Sequence, residues 1–118
     1  MNILLNLTIK RRWFDMIASG EKCEEYRDIG NRYVEGAYHW FSHHLLGDDT
    51  VMVLRNGYRM DSPALAVRIV RLSFRQSAVH PQWGEPTDSK HYVISFDKIV
   101  ARGTYAEVKA ELRKWNGQ

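Results

Sequence analysis

Extended segments outnumber helical ones in this chain, and that imbalance limits its fold more than any other feature of the sequence. Ile3, Leu5, Leu7 and Ile9 alternate strictly, which predicts a strand with one buried face. The period then changes. Trp13, Met16 and Ile17 fit a short amphipathic helix over Arg11 to Ser19, ended by Gly20. Cys23 to Ile29 reads as a second, charged strand, and 30–47 as irregular chain with one helical turn or two. Val51 to Leu54 is an apolar run that stops at the turn signal Asn56-Gly57. Ala64 to Phe74 predicts a long strand. Leu65, Val67 and Ile69 share one side and Arg68 takes the other, before the alternation slips at Val70, Leu72 and Phe74. Such a slip predicts a bulge or a strand buried on both faces near its end. A loop over 80–90 contains Pro81, Trp83-Gly84 and Pro86. The next strand runs from His91 to Val100, with Tyr92, Ile94 and Phe96 on one face. Thr104-x-x-Glu107 is a capping box, and Val108, Leu112 and Trp115 form the stripe of a last helix over about 104–115. Two helices are too few to cover both faces of a parallel sheet. The expected class is therefore α+β, a mixed or antiparallel barrel-like sheet flanked by helices.

At 118 residues the chain fits one domain, 1–118, and 44% hydrophobic content excludes a disordered composition. Seventeen Lys and Arg against 14 Asp and Glu leave +3, too small an excess to argue for a nucleic-acid partner by itself. Cys23 is the sole cysteine, so no internal disulfide or cysteine-rich zinc site can form. The apolar start lacks a basic flank and a small-residue cleavage site, and reads as a strand and not a leader. No apolar run approaches the roughly 18 residues of a membrane span. A cytoplasmic protein with no membrane partner is the expectation.

The block Gly20-Glu21-Lys22-Cys23-Glu24-Glu25-Tyr26-Arg27 concentrates charge at a helix-to-strand junction. In an extended chain Cys23, Glu25 and Arg27 point one way and Glu24, Tyr26 and Asp28 the other. Lys22 and Arg27 can hold a phosphate, while Glu25 can orient both cations, accept a base amino group, or act as a general base. Locally, a solvated edge strand with weak salt bridges explains the same residues.

This block resembles the ASCH domain family of the PUA-like superfamily. The family motif G-x-K-x-x-E-x-R stands complete as Gly20, Lys22, Glu25 and Arg27. Other segments are similar to a bacterial and phage branch of that family. They are Lys10-x-x-Trp13-Phe14-Asp15, Leu54-Arg55-Asn56-Gly57-Tyr58 with Ser62-Pro63, and Trp83-Gly84-Glu85-Pro86, so the resemblance covers about residues 3–99. It implies a PUA-like β-barrel with helices at its ends, a basic cleft lined by the motif, and RNA or a nucleotide as partner. One branch of the family hydrolyses the acetyl amide of acetylcytidine, using the motif lysine with a threonine nucleophile and a glutamate on a later strand. Lys22 matches the lysine, but Glu25 stands at the threonine and Arg68 near the glutamate, so that activity does not carry over. Another enzymatic role on RNA or a modified nucleoside, as ribonuclease or amide hydrolase with Lys22 and Glu25 as catalytic candidates, stays open beside plain binding.

Arg55, Arg59, Arg68, Arg71 and Arg75 crowd into the middle of the chain. Arg55 and Arg59 flank a turn, where guanidinium groups favour phosphate and base contacts. Asn56 can read a base edge and Tyr58 can stack on one. Candidate ligand-facing residues are therefore Lys10, Trp13, Lys22, Glu25, Arg27, Arg55, Asn56, Tyr58 and Arg59. Trp13 and Trp115 lie on helical stripes and read as core, whereas Trp83 sits in a loop and suits a cleft wall. His39 and His43 are four apart, yet no His-Glu-x-x-His pattern or cysteine pair accompanies them. Neither a metal nor another cofactor is expected. The aromatic stretch Tyr33 to Phe41 would suit a protein-interaction patch if it were exposed.

Overall fold

A computed structural model describes residues 2–42, 50–75, 82–84 and 90–115. Its elements are β1 (Asn2–Thr8), α1 (Arg11–Ala18), β2 (Glu24–Asp28), α2 (Arg32–Ser42), β3 (Thr50–Arg55), β4 (Pro63–Arg75), β5 (His91–Thr104) and α3 (Tyr105–Trp115). The class is α+β. One five-stranded sheet runs in the order β1-β3-β4-β5-β2. β1 is parallel to β3, and the other neighbours are antiparallel. The sheet is mixed and open, with β1 and β2 as its edge strands.

Each face of the sheet has its own core. On one face Leu5, Leu7, Met52, Leu54, Leu65, Val67, Ile69, Tyr92, Ile94 and Phe96 pack with Trp13, Phe14 and Ile17 of α1 and Val34 and Ala37 of α2. On the other, Val51, Val53, Ala64 and Ala66 pack with Tyr105, Val108 and Leu112 of α3. β3 is covered on both faces, which explains why it reads as an unbroken apolar run.

Several elements differ from expectation, each for a local reason. β1 carries a register shift between Ile3 and Leu5, which takes Ile3 out of the core face and leaves it 40% exposed. A one-residue slip reverses the face of every side chain beyond it. α2 is a full eleven-residue helix instead of a turn or two. Asn31 caps it, its Oδ1 accepting from the N–H groups of Tyr33 and Val34, both at 3.2 Å. Gly36 and the aromatic residues of this helix are poor helix formers, so capping and the burial of Val34 and Ala37 decide its structure. The slip in β4 does mark bulges, with register shifts between Ala66 and Val67, Val67 and Ile69, and Ile69 and Arg71. β5 continues past Val100 to Thr104, pairing as far as Pro63. Of the expected 80–90 loop, 82–84 and Lys90 are described; Pro81, Glu85 and Pro86 lie outside the described residues.

The capping box forms as read: Thr104 Oγ1 accepts from the Glu107 N–H at 3.2 Å, and Glu107 Oε1 from the Thr104 N–H at 2.9 Å. The stripe behind it is shorter than expected. Val108 and Leu112 are buried, but Trp115 is 43% exposed, its indole N–H donating to Glu111. Trp115 belongs to neither core cluster. Leu112→Ala should lower the unfolding free energy by about 2–5 kcal/mol in denaturant titration, and Trp115→Ala by under about 0.5 kcal/mol.

Candidate functional site

The site begins where α1 ends. Gly20 takes φ 85°, a left-handed conformation that costs glycine little, and the chain doubles back so that the Lys22 N–H donates to the Met16 carbonyl at 3.0 Å. This closure drives the Lys22 side chain inward, and the residue is 1% exposed. Its ammonium donates to the Trp83 carbonyl and lies 3.4 Å from Glu25 Oε1. The Tyr26 ring lies 4.8 Å from Nζ and the Trp13 ring 5.4 Å. A cation taken out of water needs such a surround, since desolvation costs several kcal/mol per ion. Burial outweighs the Glu25 carboxylate and pulls the Lys22 ammonium below the usual lysine pKa.

Glu25, also buried, joins two cations. Its Oε1 faces Lys22, and its Oε2 accepts from Arg27 Nη2 at 2.8 Å. Extended backbone puts Glu25 and Arg27 on one face, as their spacing requires. Arg27 continues across a gap in the sheet: the same Nη2 donates to the Thr8 carbonyl of β1 at 2.9 Å. A side chain of one edge strand thus reaches the backbone of the other. Lys22, Glu25, Arg27 and Thr8 form one charged chain from the interior to the sheet seam.

The middle segment meets the same place from the other side of β1. Arg55 pairs with Thr8 in the ladder, and Asn56 Nδ2 donates to the Ile9 carbonyl at 2.9 Å. Lys10 follows at once and is exposed, as are Arg11 and Arg12; Arg12 stacks on Trp13 at 4.4 Å. Past Asn56, Tyr58 is 84% exposed and the Arg59 side chain 83%.

The geometry sorts the candidates into three kinds. Lys22 and Glu25 converge and are buried, with Lys22 in the wall of a cleft between α1 and β5. Trp13, Arg55 and Asn56 act as scaffold. Trp13 is core, Asn56 ties the turn to β1, and Arg55 stacks on the Tyr105 ring at 3.5 Å while donating to the Gly57 and Arg59 carbonyls. Lys10, Arg27, Tyr58 and Arg59 have surface to offer a ligand. The other arginines disperse: Arg68 forms a two-pronged pair with Asp97, and Arg75 approaches Glu24 at 3.9 Å. Among the described residues no group of three metal-ligating side chains converges; His43, His44 and His80 lie outside them. α2 turns Val34 and Ala37 into the core and leaves Tyr33 74% exposed, so Tyr33 to Trp40 has a buried and an exposed face and is not a continuous exposed patch; the side chain of Phe41 lies outside the described residues.

A cleft of about 230 Å³ opens on the flank of Lys22, between the end of α1 and β5. Ile17, Phe96 and Ile99 make its apolar wall, and Gly20, Cys23 and Asp97 are at its polar side. The shift that opposes Val67 to Ile99 and Ile69 to Phe96 puts Asp97 and Lys98 in a bulge there. The Arg68 guanidinium holds the Asp97 carboxyl below its usual pKa.

Sequence reading missed the contacts made through backbone. The Trp83 and Thr8 carbonyls carry no residue-type signal, because every residue has one. Tyr26 was expected on the face away from Glu25, yet its ring reaches Lys22, which stands in the turn before the strand. No family model, curated protein or solved structure matches the chain.

Removing Glu25 leaves Lys22 buried without its carboxylate, so Glu25→Ala should cost about 3–5 kcal/mol in urea unfolding. Lys22→Met with Glu25→Gln should cost clearly less than the two single changes summed. The unfolded chain holds the Lys22 proton up to the ordinary value of 10.5, whereas the folded chain releases it at lower pH. Between those two values the unfolded state binds more protons, so stability rises with pH across that window. Lys22→Met should remove this rise from a plot of unfolding free energy against pH.

Proposed function

We propose that this chain is an ASCH-type, PUA-like domain that binds RNA or a nucleotide along the strip joining Arg27, Lys10 and the turn after β3. One observation carries the reading. The Arg27 contact to Thr8 and the Asn56 contact to Ile9 gather the motif, the start of α1 and the 56–59 turn at the end of one strand. Segments 19 and 47 residues apart in the chain thereby offer Lys10, Arg12, Arg27 and Arg59 to solvent, with exposed Tyr58 next to Arg59 in the turn. Cations beside an exposed aromatic ring suit phosphates beside bases.

The motif then has a definite job. Glu25 fixes the Arg27 guanidinium from below, leaving its remaining donors for an anion, and Lys22 fixes Glu25. The same bridge supports a barrel-like architecture, because Arg27 draws together the two edge strands that a PUA-like barrel would close. No helix among the described residues is long and apolar enough to cross a membrane.

A second reading rests on Lys22 itself. Burial loosens its proton, and a carboxylate lies 3.4 Å away, a pairing that suits acid-base chemistry on RNA or a modified nucleoside. The Trp83 carbonyl and two rings surround that ammonium, so binding is the better supported function. Absence of turnover of labelled RNA and acylated nucleosides across pH, with binding intact, would remove the enzymatic reading.

Fluorescence anisotropy with labelled single-stranded RNA tests the binding reading. Affinity should fall linearly in log–log form with salt. Lys10→Ala and Arg59→Ala, both at exposed positions, should each reduce the slope by about 0.7 without lowering thermal stability. Salt-independent binding, or none to any RNA at low salt, would overturn the proposal.

A further inference from the structure

We infer that the Arg55–Ser62 turn is a rigid stacking finger for an unpaired base, so that the preferred ligand is single-stranded; this rests on the binding reading above and names its substrate class. The turn is held far more firmly than a connection between β3 and β4 requires. At its base the Asn56 N–H donates to the Pro63 carbonyl at 2.9 Å. The Arg55 side chain runs inside it, donating to the Gly57 carbonyl at 2.7 Å and the Arg59 carbonyl at 2.9 Å. Ser62 closes the far side: its N–H donates to the Arg59 carbonyl at 3.1 Å and its hydroxyl accepts from the Arg59 N–H at 3.0 Å. Gly57 adopts φ 127°, and a Cβ there would stand 2.6 Å from the Ser62 hydroxyl, so only glycine fits. Two further bonds anchor the turn to α3, whose Tyr105 and Ala106 N–H groups donate to the Ser62 and Met60 carbonyls at 2.8 and 2.9 Å.

This scaffold supports side chains that the fold itself does not use. Tyr58 is 84% exposed and Met60 60%, and neither belongs to a core cluster. A tyrosine held out on an ordered backbone keeps its ring faces open and loses little freedom when something stacks on it. The company it keeps selects the occupant. Arg59 is next to it, paired with Asp61 at 3.2 Å in an exposed contact that screens easily. Lys10 follows Ile9, whose carbonyl Asn56 holds. An exposed ring next to an exposed guanidinium fits a base next to its phosphate. It does not fit a duplex, where bases are already stacked and the RNA major groove excludes side chains.

The test measures binding of the full chain to four probes by anisotropy: a short single strand, the same strand with abasic positions, its duplex, and inorganic phosphate as competitor. The single strand should bind best. Tyr58→Ala should weaken it about tenfold, leave the abasic strand and the salt slope unchanged, and be rescued by Tyr58→Phe or Tyr58→Trp. Arg59→Ala should weaken intact and abasic strands alike. Unchanged circular dichroism and thermal midpoint confirm that the exposed substitutions leave the fold intact. Single-strand binding indifferent to Tyr58, or equal affinity for duplex, overturns the finger while leaving the binding reading standing. A protein partner that requires Tyr58, with strands indifferent to it, also overturns the finger. No binding of any strand at low salt overturns both.

Discussion

The ammonium of Lys22 sits where water does not reach, and much of the site's geometry follows from satisfying it. Its burial requires the glycine closure of α1, which turns the side chain inward. It also requires an acceptor from a distant segment, the Trp83 carbonyl, and a carboxylate from the following strand. Glu25 meets that need and, with its second oxygen, orients Arg27. A single desolvated charge thus determines where a second, half-exposed charge points. Replacing the lysine alone leaves a carboxylate half-matched, and replacing the glutamate alone leaves a cation unmatched; the two must be treated as one unit.

Arg27 carries this constraint from the interior to the surface of the sheet. β1 and β2 are edge strands, and edges present unpaired backbone groups. By donating to the Thr8 carbonyl, Arg27 satisfies one such group and holds the edges near each other without a ladder between them. The turn after β3 is tied to the adjacent residue by Asn56. Fold and candidate binding strip therefore share the same hydrogen bonds. Substitutions inside the chain Lys22–Glu25–Arg27 act on stability and on any ligand together, whereas Lys10, Tyr58 and Arg59 separate the two.

Much of the fold was legible because its signals are local. The alternation of β1 and β5, the glycine stop of α1 and the Thr104–Glu107 capping box each depend on neighbours within a turn or two. The bulges of β4 were legible as a slip in period, since a bulge changes which face the next residue occupies. α2 was not, because Gly36, Tyr33, Tyr38 and Trp40 dilute its propensity, and burial of Val34 and Ala37 supplies what propensity lacks. Trp115 misled for the opposite reason: helical spacing places it on the stripe, but spacing cannot say whether the fold supplies neighbours to bury it.

By itself the sequence determined the class of fold, most strand positions, and the pairing of Glu25 with Arg27, because side chains two apart on a strand share a face. Its charge pattern also marked Lys22, Glu25 and Arg27 as a unit. Only the tertiary structure decided that Lys22 and Glu25 are buried while Lys10, Tyr58 and Arg59 face solvent. Only it showed Arg55 and Asn56 spent on holding a turn. The reason is that burial and backbone acceptors are properties of segments brought together from far along the chain. Trp83 is 61 positions from Lys22, and no local pattern records that its carbonyl would meet the ammonium.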